Sequence, residues 1–368
     1  MKKTYIALAA SAAFAVAGSA SAEGHGGSLS ISANHQVQVV NIGYDDADNM
    51  DGLYMTDGGL GFENTHAGGG WNRININGER DLGNGMSAIF AVNSAQGPFG
   101  GVNLGGRKVF AGLSGDFGTV RLGRLNTPYV TGEPLQATFM QARGTGGRLG
   151  VVDGLGNGGY RDGVVRYDNS FGDISVSAAL LVDTAIDYDD EDSQPSGDGN
   201  HAMSFSVSMP LGPVNAYLAH TAADNYTGWS TETEREVDDN GIVINGDTTP
   251  DQLGGEDQSL TKVGAVFSDG PIRAQFEYEM VDDGFGNRNA GNYMFLSGQY
   301  TLAEGSSVVL NYGMLDAEAD GWDTNYMALG YLHSIGERTR VHVGYRQSVD
   351  DWDDETVTAL GGGLRVSF

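Results

Sequence analysis

Residues 272–280 read IRAQFEYEM, and their alternation decides the architecture. Arg273, Gln275, Glu277 and Glu279 fall on one parity, while Ile272, Ala274, Phe276, Tyr278 and Met280 fall on the other. An extended chain here has one wholly polar face and one wholly apolar face. The pattern recurs. Met203, Phe205, Val207 and Met209 alternate with Ser204, Ser206 and Ser208; Ile174, Val176, Ala178 and Leu180 alternate with Ser175 and Ser177; and Val341, Val343 and Tyr345 alternate with Arg340, His342, Gly344 and Arg346. A soluble sandwich also alternates, so the choice rests on what the polar face must look at. Arg, Glu and Gln at mid-strand on one side, with Phe, Met and Tyr on the other, describe an all-β, closed antiparallel barrel with a wet lumen set in lipid.

Working outward, such segments number about sixteen, a size at which a closed barrel leaves an aqueous channel. Short turns at residues 81–85, 114–116, 171–173, 268–271 and 303–305 alternate with long connections near 45–63, 126–162, 183–198 and 224–257. Short turns at one rim and long loops at the other are the layout of an outer-membrane barrel. Composition agrees: 58 of 368 residues are Gly, too many for helices. A formal charge of −28 argues against nucleic acid as a partner, and the absence of Cys removes disulfides, thiolate metal sites and a Cys nucleophile.

The N-terminus reads as a secretory signal over residues 1–22. Lys2 and Lys3 precede an apolar run from Tyr5 to Ala17, and Ala20-Ser21-Ala22 supplies the small residues of a cleavage site. The signal carries two lysines and no acid, so its removal takes the charge from −28 to −30 and leaves 23–368 as a single barrel domain. No later apolar run approaches the roughly 20 residues of a membrane helix. At the other end, Leu360, Gly362, Leu364, Val366 and Phe368 share one face of the final strand.

Two stretches carry a specific likeness. Arg73 to Ala88, RININGERDLGNGMSA, resembles the second strand and first periplasmic turn of the general porins of Gram-negative bacteria. Arg107 to Tyr129, RKVFAGLSGDFGTVRLGRLNTPY, is similar to their fourth and fifth strands, and the terminal Phe368 fits as well. The resemblance implies a homotrimer of sixteen-stranded barrels in the outer membrane, passing ions and small hydrophilic solutes passively. It also implies a third external loop folded into the pore, with Arg107 facing the lumen. Phe368 is then the assembly signal read by the barrel assembly machinery.

Parity and strand order assign the charges. Ile74 and Ile76 face outward, which turns Arg73 inward; Val120 and Leu122 do the same for Arg121. Arg124 then faces outward and belongs at a trimer interface, since an arginine in lipid costs about 2–4 kcal/mol near the midplane. Lys108, next to Arg107, is expected to face outward near the headgroups. Closing the barrel brings Arg340, His342, Arg346 and Arg365 beside Arg73, Arg107 and Arg121, which makes one wall of the pore constriction basic. Facing it, the loop 126–162 offers Glu133, Asp153 and Asp162 against Arg143, Arg148 and Arg161, so it is formally neutral.

The remaining charge is at the long connections. Segments 45–63, 183–198, 224–257 and 350–355 hold 6, 7, 10 and 5 acids and one base, Arg235, and so carry −27 of the mature −30. Asp187, Asp189, Asp190, Glu191 and Asp192 could gather divalent cations such as Ca2+ or bridge to lipopolysaccharide, although the spacing matches no EF-hand. No other cofactor is expected. The basic wall and the acidic rim compete, and the expected balance is a weak cation preference that grows as salt is diluted. No catalytic motif accompanies the seven histidines, and His333 is the clear candidate by parity for the outward face, alongside Met327, Leu329 and Tyr331, with Ser334 on the other face. Two other readings are a substrate-specific channel, which needs an aromatic track in the lumen, and an acidic calcium-binding surface β-protein, which needs tandem glycine-aspartate repeats. Most aromatics here lie on the apolar face, and such repeats are absent. Deleting Phe368 should leave export intact and lower outer-membrane insertion; normal levels of the deletion variant in outer-membrane fractions would refute the assembly role.

Overall fold

The computed structural model describes residues 27–44, 52–56, 72–96, 102–103, 108–130, 160–182, 202–226, 229–230, 236–237, 243–245, 251–252, 256–282, 290–318, 323–350 and 355–368. Sixteen strands form the wall. They are β1 (Gly27–Tyr44), β2 (Arg73–Gly83), β3 (Met86–Asn93), β4 (Val109–Gly115), β5 (Gly118–Asn126), β6 (Tyr160–Phe171), β7 (Ile174–Leu181) and β8 (Ala202–Leu211). The ring continues with β9 (Val214–Tyr226), β10 (Glu256–Asp269), β11 (Ile272–Asp282), β12 (Gly291–Ala303), β13 (Ser306–Ala317), β14 (Thr324–Ser334), β15 (Thr339–Asp350) and β16 (Glu355–Ser367). Each pairs antiparallel with its sequence neighbours. The ring closes where β16 pairs with β1, from Asn34 opposite Ser367 to Tyr44 opposite Val357. Phe368 completes the seam: its N–H donates to the Ala33 carbonyl at 2.8 Å, and the Ala33 N–H donates back at 3.2 Å.

The expected alternation holds round the ring. On β8, Met203 is 67% exposed on the outer face while Ser206 is 2% exposed on the inner one. On β11, Phe276 and Met280 point outward, and Gln275, Glu277 and Glu279 are buried on the inside. Seven short turns share one rim. At the first, Gly83, Asn84 and Gly85 all have positive φ (80°, 54° and 72°), a conformation that glycine and asparagine accept at little cost. The long connections all leave from the opposite rim.

Two features go beyond the expected layout. The second strand is interrupted: β1 pairs with β2 over Gly27–Asn34, then with a short strand, Gly52–Thr56, over Gln38–Ile42. The wall is therefore continued past a long insertion. The inner face also turns apolar toward the long-loop rim, where Val40, Ile42, Leu125, Val164, Leu181, Leu260, Val281, Tyr293, Phe295, Leu315 and Tyr326 form one buried cluster. The wet lumen anticipated from the strands thus carries an inward-facing apolar collar at one end.

Tyr217 on β9 shows how close the inner packing is. Its ring lies over Gly264 on β10, where an added Cβ would fall 2.2 Å from the ring, and its hydroxyl donates to Glu277. Gly264→Val should displace the ring and lose that hydrogen bond, a destabilisation of roughly 1–3 kcal/mol. A lower temperature for the folded-to-unfolded band shift on SDS gels is the expected readout.

Candidate functional site

The inner wall from β15 through β16 and β2 to β6 collects the cations. Arg365 stands opposite both Gln36 and Arg340, and Arg73 stands opposite Asn34 one strand away. Arg73 and Arg340 are close enough to Arg365 for their charges to act on it. His342 and Arg346 share this inward parity but are packed away. His342 is 5% exposed, with Nε2 3.1 Å from Gln38 Oε1. Arg346 is 3% exposed, with its guanidinium 5.7 Å from the Tyr326 ring centroid and Nη2 donating to Ser348 Oγ at 3.1 Å. These two therefore support the wall and do not meet the pore water, which corrects their expected place in the constriction.

Parity on β4 corrects a second assignment. Val109, Ala111 and Leu113 pair with Arg124, Leu122 and Val120 on the outer face, so Phe110 and Gly112 face inward and Lys108 does too. Lys108 lies near Arg73, Arg121 and Arg166, inside the barrel and not among the headgroups. Arg107 is outside the described residues. Arg121 is inward as expected, with its guanidinium 5.6 Å from the Phe110 ring centroid. It is also paired: Asp168 Oδ2 accepts from Arg121 Nη1 at 2.8 Å, and Asp168 Oδ1 accepts from Arg166 Nη2 at 2.7 Å and from Ser177 Oγ at 2.6 Å. Arg166 and Asp168 lie outside both stretches of likeness, so the likeness does not point to them. The signal in the sequence is parity, with Arg166 and Asp168 alternating with Val165 and Tyr167; the structure sets them opposite Arg121 and Thr119.

Arg124 has the outward parity of Leu122, and it is not alone. Its Nη1 donates to Asp162 Oδ2 at 2.6 Å, across a bulge between Gly123 and Leu125. Asp162 therefore belongs to β6 and is not a constriction-loop acid: β6 starts at Tyr160, so the wall resumes before the aspartate. Glu133 and Asp153 lie outside the described residues, as do Asp187, Asp189, Asp190, Glu191 and Asp192. Among the described residues, no three His, Asp or Glu side chains gather as a metal site would require.

Acids do face the basic arc, but from the barrel wall. β11 lies opposite β3 in the ring of strands, and its Glu277 and Glu279 point inward. Both are buried. Lys262 Nζ sits 3.7 Å from Glu277 Oε2, and Tyr129 donates its hydroxyl to Glu279 Oε1. Tyr129 belongs to a single 3-10 turn, Pro128–Val130, that follows β5 and packs on the inner face of β7, β8 and β9. The start of the third long connection thus lies inside the lumen. The sequence held a sign of this acidic pole, since Glu277 and Glu279 were on the polar parity and half a ring from Arg73.

On the outer face, Ser306 Oγ is 2.9 Å from His333 Nδ1, and the Tyr331 hydroxyl donates to Ser306 Oγ at 3.2 Å. The Tyr331 and His333 rings stack at 6.4 Å. Ser306 is thus the neighbour of His333 that sequence order concealed. Among the described residues, no carboxylate completes this pair into a triad.

Comparisons with known proteins converge on one family. A family model described as Gram-negative porin matches residues 7–353. Major outer membrane protein P.IB of Neisseria gonorrhoeae is 32% identical over 98 residues, which span 26% of this chain and 28% of that protein. The chain thus matches little more than a quarter of that relative. The fold resembles an anion-selective porin from Comamonas acidovorans (TM-score 0.69, 19% identity, 93% of this chain and 100% of that one). It also resembles a loop L8 deletion mutant of OmpT, an outer membrane protein of Vibrio cholerae (TM-score 0.68, 14% identity, 93% and 100%). Salmonella typhi OmpF in complex with daunomycin aligns with a TM-score of 0.60 at 13% identity, over 93% and 98% of the chains.

Asp168→Asn should leave Arg121 and Arg166 without their shared counter-charge. The zero-current potential across a salt gradient should then move toward anions, and an unchanged potential would show that the cluster is out of reach of the permeating ions.

Proposed function

Because the chain belongs to the Gram-negative porin family, we infer that it is a general diffusion pore of the outer membrane, passing ions and small hydrophilic solutes through water. One observation carries the reading: a closed barrel whose inner wall presents Arg73, Lys108, Arg121, Arg166, Arg340 and Arg365, with Asp168 among them. Arginine keeps its charge at any physiological pH, so this arc is a permanent field along the solute path. Across from it, Glu277 and Glu279 are withdrawn beneath Lys262 and Tyr129. The transverse field is therefore set by the arc more than by its acidic counterpart.

Withdrawal of the acids changes the expected selectivity. The external rim, with −27 in its four segments, attracts cations, but at 0.1 M salt a Debye length of about 10 Å screens much of that charge. The arc lies beside the ion and is screened less. Anion preference in molar salt, turning toward cations on dilution, follows from the two distances.

A substrate-specific channel would present aromatic rings to the solute. Tyr293, Phe295 and Tyr326 do face inward, but they are fully buried in the collar and cannot serve as a sliding surface. A hydrolase is disfavoured as well: the Ser306 hydroxyl is shared between His333 and Tyr331 in the manner of an interfacial girdle. The mature barrel, 23–368 after removal of 1–22, is read as a homotrimer, with Arg124 and its partner Asp162 at the subunit contact. The barrel assembly machinery reads the strand ending in Phe368, and the acidic connections bridge through divalent cations to lipopolysaccharide.

Single-channel recording in planar bilayers tests the reading. Stepwise conductance that scales with salt, and a zero-current potential that changes sign between molar and about 0.01 M KCl, is the expected result. Neutralising Asp189, Asp190, Glu191 and Asp192 together should abolish the shift in dilute salt only. Conductance that saturates with one solute class would instead establish a specific channel.

A further inference from the structure

At the short-turn rim, the inner face of β8 to β11 opens into a cavity of about 390 Å3, lined by Pro210, Pro213, Asn215, Val266, Ser268 and Arg273. The two hairpin turns beside it pass through Gly212 and Gly270, both at positive φ (64° and 52°). Pairing places Asn215 between Pro210 and Val266, and sets Ser268 opposite Arg273. One step deeper the same face is filled: Tyr217 and Gln275 are both buried, and the Gln275 amide donates to the Tyr217 hydroxyl at 3.1 Å. The face is closed there and open at the rim. All of these residues stand on the wall strands or their short turns.

Arg273 supplies the charge of this cavity. It is exposed, and among the described residues it makes no ion pair or hydrogen bond. Its partners across the strands, Ser268 and Gln299, are uncharged. Two acids of the same hairpin are turned away or engaged: Asp269 shares the outward parity of Val263, and Glu277 is buried against Lys262 and the Tyr217 hydroxyl. Arg121 and Arg166, by contrast, already share Asp168. The guanidinium of Arg273 therefore keeps its whole fork of donors for a ligand. Three of the walls are apolar, from Pro210, Pro213 and Val266, while Asn215 and Ser268 add an amide and a hydroxyl. A few polar groups over apolar walls, in a volume within the small-ligand range of roughly 300–1,000 Å3, suit an anion that carries a short hydrocarbon tail. The planar fork suits a carboxylate.

We propose that this cavity is a binding site for small organic carboxylates: Arg273 takes the carboxylate as a two-pronged pair, and Pro210, Pro213 and Val266 hold the tail. The site lies across the ring from the arginine arc, at the mouth bounded by the short turns. It rests on the diffusion-pore reading and names a solute class retained at one mouth of that pore. Binding itself does not require conduction, so the two can be tested apart.

The test is calorimetric titration of the protein in lipid nanodiscs, with empty nanodiscs as the blank and with sodium hexanoate, sodium acetate and hexanol as probes at fixed ionic strength. Wild type should bind hexanoate saturably, and should bind acetate and hexanol at least about tenfold more weakly, because each lacks one half of the match. Arg273→Gln should weaken hexanoate binding by about tenfold or more, and Arg273→Lys should fall between, since it keeps the charge and loses the fork. Val266→Phe, which fills the cavity and leaves the arginine in place, should weaken hexanoate and not acetate. Equal hexanoate binding by wild type and Arg273→Gln would overturn the proposal, as would the lack of saturable binding by wild type. Acetate as tight as hexanoate would overturn it by reducing the site to a bare surface charge, and hexanol as tight would reduce it to an apolar crevice. If Arg273→Gln does not fold, Val266→Phe decides: weaker hexanoate binding upholds the site, and wild-type binding overturns it. Failure of the diffusion-pore reading would look different, as wild type would give no conductance steps in planar bilayers while the titration stood.

Discussion

A polypeptide crossing hydrocarbon must pair every backbone N–H and C=O with itself, and the whole architecture follows from that demand. Strands meet it only when the sheet has no edge. The pairing of β1 with β16, sealed by Phe368 on Ala33, removes the last edge and makes the ring of β1 to β16 continuous. Closure fixes every parity at once, because a slip of one residue would turn an entire strand's polar set into lipid. It also gathers charges far apart in sequence. Arg340 and Arg365 share a wall with Arg73 and Arg121 only because the ends of the chain meet.

Inside the ring, two environments divide the height of the barrel. The arginine arc faces water, whereas the collar around Tyr293, Phe295 and Tyr326 is as dry as a soluble core. Charges at the boundary are paired with unusual thoroughness: Asp168 takes two guanidinium groups, and Lys262 lies beside a glutamate and over a tyrosine ring. Their pairing is a condition of being buried in such a place, since an unmatched charge there would cost several kcal/mol. The lumen is therefore less a uniform water column than a passage along one polar wall.

Much of the wall was legible in the sequence because period two is a local property. Residues 272–280 and 203–209 announce their faces without reference to anything distant. Lys108 was misplaced because its face was inferred from the likeness at Arg107; counting from Val109, Ala111 and Leu113 gives the right answer. Asp162 was assigned to the loop because the wall resumes at Tyr160, opposite a bulge beside Gly123 that no local pattern marks. The collar escaped notice for a different reason. On β12, Tyr293 and Phe295 point inward while Met294 and Leu296 point outward, so both faces are apolar and alternation carries no sign. The acidic pole on β11 depended on counting strands round a ring, which no single segment reveals.

The seam between β1 and β16 also governs how the protein comes to be folded. Every other wall pairing joins strands adjacent in sequence, and each hairpin can form soon after its residues are available. The seam joins Asn34 to Ser367, so nearly the full chain becomes a loop when it closes. The entropy of that closure grows only with the logarithm of loop length, but it is paid before any backbone bond of the seam is gained. Until then, two unpaired edges face the bilayer together. Topology thus makes the seam the last wall pairing that can close, and both edges need shielding until it does.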